Sequence, residues 1–339
     1  MLIAEVRAGL NYDRGLQPRV IELYEHPDRS LHAVVSDRAE KSLCLGPDGR
    51  IAAEVAKRLS RRVTFHSQED ILVRRHRLTL TEERLREVAD TLNTNQLAFA
   101  EALRTMIRAE TAFPMSPPAE LELGPMTDAA VGVALSGGVD STAALLLVRR
   151  LARAPLALTV DLGTRFMTTA EREHVISLSR ALGVKHEFVP APAVCTSLPE
   201  RVSRGEVHPC GQCHQAILES LEDEAHSHAL DVLVTGETLP TGRCAVAVKR
   251  GLMIVHLPAA LALSKYTTEQ MCERINLPRQ KRQFGCLLLA QGNHERWNTV
   301  GPSIYRVLRE LDAGVLTTGQ ALAYVKNILR NRHKTTHRE

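Results

Sequence analysis

An apolar run from Val131 to Leu135 ends in Ser136-Gly137-Gly138-Val139-Asp140-Ser141 and opens directly into a segment rich in Ala and Leu. Two adjacent glycines let the backbone turn tightly and aim N–H groups at an anion, and a following helix adds the partial positive charge of its N-terminus. Pyrophosphate suits such a place. The Ser136 and Ser141 hydroxyls can donate to phosphate oxygens, and Asp140 can hold the magnesium ion that accompanies a nucleotide. The bland reading is a strand-to-helix turn with Asp140 as a cap. A Walker A loop is excluded, because Gly-x-x-x-x-Gly-Lys is absent.

The loop sits in a regular alternation. Apolar runs at Val131 to Leu135, Leu156 to Val160, His186 to Val189, Asp231 to Thr235 and Met253 to Val255 are interleaved with helical patterns at Ser141 to Leu151, Thr168 to Leu182 and Gln212 to His226. This predicts βαβ crossovers and a mostly parallel sheet with ligands at the carboxyl ends of its strands. Upstream, Leu2 to Val6, Arg19 to Leu23, Leu31 to Val35 and Val63 to His66 read as strands and Ile51 to Leu59 as a helix. A long helical pattern begins at Thr79, which with Glu82 has capping-box spacing. Three prolines between Phe113 and Pro118 mark a linker. The expected organisation is an N-terminal α+β domain over 1–112, a Pro-rich linker over 113–125, a catalytic α/β domain over 126–290 and a helical segment over 291–339, with Ser303 to Leu329 read as two helices.

Ser-Gly-Gly-Val-Asp-Ser resembles the signature of the PP-loop ATP pyrophosphatase superfamily, which includes GMP synthetases, NAD synthetases and tRNA thiolation enzymes. The resemblance implies a parallel-sheet PP-loop fold (HUP-type, Rossmann-like). It also implies cleavage of ATP between the α and β phosphates, attachment of AMP to a carbonyl or carboxyl oxygen, and displacement of AMP by a nucleophile. Ser136, Gly137, Gly138, Val139, Asp140 and Ser141 would hold the departing pyrophosphate, with Asp140 catalytic through Mg2+. Asp161, ending the second strand, would lie near the base and ribose.

Cys210-Gly211-Gln212-Cys213-His214 opens a helical pattern after His208 and Pro209. Two thiols at a helix start can reach one metal, and the helix N-terminus is expected to lower their pKa toward the thiolate. Alone, the pair reads as half a zinc knuckle, a redox dithiol or an iron-sulfur ligand pair. Cys286 stands further along, just past Arg279, Lys281 and Arg282, a basic stretch that could hold an RNA phosphate. A Cys-x-x-Cys within such a domain plus one distant cysteine resembles the iron-sulfur subgroup of tRNA thiolation enzymes, the 2-thiocytidine and 2-thiouridine synthetases. By that resemblance Cys210, Cys213 and Cys286 are catalytic residues and metal ligands holding a 4Fe-4S cluster whose fourth iron stays open; structural zinc is the alternative.

The stretch Val234-Thr235-Gly236-Glu237-Thr238-Leu239 and the later Ser264-Lys265 look like segments of the 4-thiouridine tRNA sulfurtransferases. Gly236 would allow backbone approach to the adenylate, and Lys265 would neutralise phosphate. Neither a THUMP-type nor a rhodanese domain is recognisable. Cys195 and Cys244 can each be read as a persulfide carrier or a further cluster ligand, Cys44 and Cys272 as plain core or surface residues, and His214 as the better hydrogen-bond donor to a cluster.

Seven cysteines are an odd number, so at least one stays out of intramolecular disulfides, and a reducing compartment favours metal or catalytic use. Charged residues interrupt every apolar stretch before it reaches membrane-spanning length, so a cytoplasmic, membrane-free protein is expected. The net charge of +4 permits a nucleic-acid partner, and aromatics at 4% argue against a stacking platform for single-stranded bases. The sequence therefore points to an ATP-dependent tRNA sulfurtransferase needing ATP, Mg2+, a sulfur donor such as sulfide or a persulfide carrier, and tRNA, with a homodimer left open. The competing readings are a PP-loop ligase acting on a small molecule and a non-catalytic nucleotide- or RNA-binding module.

Overall fold

The computed structural model describes residues 2–12, 15–114, 127–273, 275 and 284–333. The chain divides into two compact units, Met1–Leu80 with Thr105–Leu121, and Thr81–Arg104 with Glu122–Glu339.

The smaller unit begins with α1 (Leu2–Gly9), β1 (Val20–Glu25), β2 (Leu31–Val35), α2 (Arg38–Leu45), α3 (Arg50–Leu59) and β3 (Val63–Ser67). β2 lies in the middle of the sheet, antiparallel to β1 and parallel to β3. Val6, Ala33, Val35, Cys44, Ile51, Val55 and Phe65 form its core. The segment read as a first strand is a helix. Leu2, Ile3 and Val6 all reach that core, a spacing of one helical face, and a five-residue apolar run cannot by itself distinguish helix from strand.

The long helical pattern resolves into α4 (Gln68–Glu87) and α5 (Thr94–Ala112), separated by a 3-10 turn at Ala89–Thr91. Thr79 is not a cap. It lies inside α4 and its hydroxyl donates to the Arg75 carbonyl at 3.1 Å, while Ser67 Oγ accepts the Asp70 N–H at 3.3 Å where the helix begins. Gln96 on α5 donates to the carbonyls of Asp231 (2.9 Å) and Gly251 (2.7 Å) in the larger unit's sheet.

The larger unit is α/β, as the alternation predicts. It contains β4 (Val131–Ala134), α6 (Val139–Val148), β5 (Leu156–Asp161), α7 (Thr169–Ala181), β6 (Lys185–Pro190), α8 (Ala193–Ser203), α9 (Pro209–Ser227), β7 (Val232–Thr235), β8 (Val246–Lys249) and β9 (Leu252–His256). After them come α10 (Leu257–Ala260), α11 (Lys265–Glu273), α12 (Leu287–Glu295), α13 (Trp297–Asp312) and α14 (Thr318–His333). The sheet order is β6-β5-β4-β7-β9-β8, parallel except for β8 against β9. Leu158, Leu233 and Ile254 from the strands pack with Leu221 and Ala225 of α9. Coverage by helices explains the continuous apolar runs. The order reverses at β4, with β5 on one side and β7 on the other, and such a reversal opens a crevice at the strands' carboxyl ends.

Candidate nucleotide and metal site

The phosphate loop lies at that reversal, between β4 and α6. Gly137 has φ +68°, a conformation that L side chains resist. Ser136 N–H donates to Ser141 Oγ at 3.2 Å, and Ser141 Oγ donates to the Gly138 carbonyl at 3.0 Å. Thr142 Oγ1 reaches the same carbonyl at 2.8 Å. The two serine hydroxyls, 3.1 Å apart, therefore tie the loop to the first turn of α6.

Asp140, in that first turn, is clasped by α11. Lys265 Nζ lies 2.5 Å from Oδ2, and Thr268 Oγ1 donates to Oδ1 at 2.8 Å. Lys265 thus comes from 125 residues away to stand at the loop. Buried Cys272 fastens the same helix by donating to the Val139 carbonyl at 3.4 Å. Gly236, just past β7, packs against the loop's helix itself. A Cβ there would lie 2.6 Å from Ser141 N and 2.9 Å from Asp140 C. The close approach it allows is thus to protein backbone. Asp161 ends β5, where its Oδ1 accepts the Gly163 N–H at 3.2 Å and Arg172 Nε donates to Oδ2 at 3.1 Å. The Arg172 guanidinium also lies 4.0 Å over the Phe188 ring.

The cysteines gather at two helix starts. Cys210 and Cys213 occupy the first turn of α9, and Cys286 is the N-cap of α12. Gly285 has φ +81° and lies against the Leu289 side chain, so glycine sets the direction in which Cys286 enters. Cys286 is near enough to act electrostatically on both other thiols. Cys195 of α8 hydrogen-bonds Cys213 and is buried with it among Phe166, Leu198 and Leu288. Cys244 is exposed, and Cys44 and Cys272 are buried.

Burial pushes the Cys210, Cys213 and Cys195 thiols up, against the expected helix lowering. Desolvation of a thiolate outweighs the partial charge of one helix end here. A bound metal cation reverses that balance, because a coordinated thiol is deprotonated outright. Among the described residues, the only three His, Cys, Asp or Glu ligand atoms all within 4.8 Å of one another belong to Glu187, Glu224 and His228. The three cysteine sulfurs are therefore spread wider than in a zinc tetrahedron, where Zn–S of about 2.3 Å gives sulfurs about 3.8 Å apart. Three cysteine thiols at two helix starts are a donor set that a 4Fe-4S cluster can use.

His208, the N-cap of α9, accepts the Cys210 N–H at its Nδ1 (3.3 Å), while its covered Nε2 has no partner among the described residues. His214 lies half exposed, its Nδ1 3.8 Å from Glu237. Arg306 of α13 hydrogen-bonds Cys210, donates from Nε to Glu310 Oε1 at 3.1 Å, and sits 5.5 Å over the Phe284 ring. Phe284 packs on Tyr324 of α14 with centroids 5.4 Å apart. Tyr324 in turn feels the charges of Lys265 and Asp140. Phe284 thus ties together the C-terminal helices α13 and α14. Their Arg306, Glu310 and Tyr324 were missed in the sequence, where only the (i, i+4) spacing of Arg306 and Glu310 hinted at a pair. Arg279, Lys281 and Arg282 lie outside the described residues, and no described helix is long and apolar enough to cross a membrane.

Residues 123–238 match the family model of asparagine synthase. Uncharacterized protein MJ1638 of Methanocaldococcus jannaschii is 26% identical over 198 residues, spanning 58% of this chain and 74% of its own. The tRNA(Ile)-lysidine synthase of Hyphomonas neptunium is 44% identical over 68 residues, 19% of this chain and 18% of that protein. The solved structure of the U34-tRNA thiolase NcsA from Methanococcus maripaludis with its 4Fe-4S cluster aligns at a TM-score of 0.41 and 15% identity, over 74% of this chain and 78% of that one.

Proposed function

From the premise that residues 123–238 are a PP-loop ATP pyrophosphatase domain, we propose that this ATP-dependent enzyme adenylylates a carbonyl oxygen of a tRNA base and replaces that oxygen with sulfur. The Ser136–Ser141 loop receives the β and γ phosphates of ATP, and Asp140 would hold the accompanying Mg2+ in exchange for its bond to Lys265 or Thr268. Lys265, already at the Asp140 carboxylate, neutralises phosphate charge as the α–β bond breaks. Asp161 borders the nucleoside, and Gly236 keeps the β7 loop tight against the start of α6. The base oxygen attacks the α phosphorus, pyrophosphate departs into the loop, and AMP leaves when a sulfur nucleophile attacks the activated carbon.

Cys210, Cys213 and Cys286 would hold the 4Fe-4S cluster, which when bound supplies an iron without a protein ligand where sulfur can be kept. The observation that carries the reading is the Ser136–Ser141 loop at the sheet reversal, with Lys265 at its Asp140, in the same unit as Cys210, Cys213 and Cys286 at the starts of α9 and α12. The raised pKa of the part-buried Cys210 and Cys213 thiols supports a metal over bare nucleophilic cysteines. The resemblance of the loop and cysteine motifs to tRNA thiolation enzymes, and the stretch shared with a tRNA(Ile)-lysidine synthase, support tRNA as the acceptor.

The test is anaerobic reconstitution followed by assay of pyrophosphate release from ATP with bulk tRNA. A brown, iron-containing protein whose release depends on tRNA and is abolished by Asp140→Ala is expected. Colourless protein with stoichiometric zinc, indifferent to tRNA, would instead favour the small-molecule ligase.

A further inference from the structure

His208 caps the backbone of Cys210 and Arg306 reaches its thiol; the sequence marks His208 only as a neighbour of the cysteine pair and does not mark Arg306 at all. Because His208 Nδ1 accepts the Cys210 N–H at 3.3 Å, the neutral ring carries its proton on Nε2. That N–H is covered, and no acceptor reaches it among the described residues. A donor buried without a partner is unfavourable unless the working site supplies an acceptor. Arg306 brings a second set of donors. Its guanidinium hydrogen-bonds Cys210 while Glu310 holds its Nε at 3.1 Å and the Phe284 ring lies beneath it. Pinned on three sides, the guanidinium has a fixed direction.

Resting on the reading that Cys210, Cys213 and Cys286 hold a cluster, we propose that His208 and Arg306 are positioning residues of that centre, donating N–H hydrogen bonds to its sulfur atoms on the Cys210 side and thereby raising its reduction potential. Hydrogen bonds to sulfur and adjacent positive charge both stabilise the more negative, reduced state. Neither residue ligates iron or touches the nucleotide. Their removal should therefore leave cluster content and nucleotide binding intact while the potential falls.

The experiment is a spectroscopically monitored redox titration of the reconstituted full-length protein, with iron content and ATP affinity measured alongside. Arg306→Gln and His208→Ala are each expected to keep wild-type iron and ATP affinity and to disfavour reduction by about tenfold, equivalent to a fall of about 59 mV for a one-electron couple. Arg306→Lys, which keeps the charge but loses the planar fork, should fall between wild type and Arg306→Gln. Unchanged potentials in iron-replete His208→Ala and Arg306→Gln would overturn the proposal. So would loss of iron from His208→Ala, which would make the imidazole a ligand. If wild-type protein takes up no iron, the cluster reading fails and this assignment falls with it, an outcome the iron assay separates from unchanged potentials.

Discussion

Gly236 shows how closely the phosphate loop is fitted to its surroundings. A methyl group there would press on the backbone of Ser141 and Asp140, and backbone at a helix start cannot swing aside as a side chain can. Gly236→Ala is therefore expected to cost on the order of 1–3 kcal/mol of stability and to weaken ATP binding, read by thermal melting and nucleotide titration; wild-type values for both would show that the loop has room. The cysteines make a second prediction at this scale. Cys210→Ala, Cys213→Ala and Cys286→Ala should each lose iron after reconstitution, while Cys195→Ala, which removes a thiol hydrogen-bonded to Cys213, should retain it. Full iron in Cys286→Ala would refute the three-ligand set. The loop and the Cys-x-x-Cys pair were legible because each is contiguous in sequence. His208, Arg306 and Tyr324 were not, because their bearing on the site comes from helices brought together only in the fold.

Among elements, legibility followed length and flanking chemistry. β4, β5 and β7 were readable because helices cover the sheet and leave uninterrupted apolar runs, and α7 because Thr168 and Glu171 form a reciprocal capping box. α8 and α13 carry internal prolines, Pro199 and Pro302, which obscure a helical pattern, and the antiparallel edge β8 is only four residues long. α4 shows the opposite error, a capping-box spacing inside a continuous helix. The two assignments differ in a measurable way: Ser67→Ala should cost about 1 kcal/mol through loss of the bond to the Asp70 N–H. Thr79→Ala should change stability by less than about 0.5 kcal/mol. Chemical denaturation of both variants decides between them, and a larger loss from Thr79→Ala would restore a helix start there.

Across the whole molecule the two units call for different tests. In the smaller one His26, His32 and His66 stack, with His32 Nδ1 2.9 Å from His66 Nε2 and the Phe113 ring edge-on to all three. Burial lowers His32 to about 4 and His66 to about 3 from the ordinary 6.5. The unfolded chain therefore binds more protons than the native one below about pH 6.5, and stability falls with pH from there toward the native values, by up to about 1.4 kcal/mol per pH unit for each histidine. Urea midpoints of the smaller unit should drop between about pH 7 and 5, and His66→Gln should flatten that dependence; a midpoint rising on acidification would show that the histidines are charged in the fold. The larger unit carries both the Ser136–Ser141 loop and Cys210, Cys213 and Cys286, and the acceptor it serves is the centre of the proposed function. Mass spectrometry of tRNA nucleosides from a strain lacking the gene addresses this directly. One thionucleoside should vanish and return with the wild-type gene but not with Asp140→Ala, whereas a full complement of thionucleosides in the deletion strain would contradict sulfur transfer to tRNA.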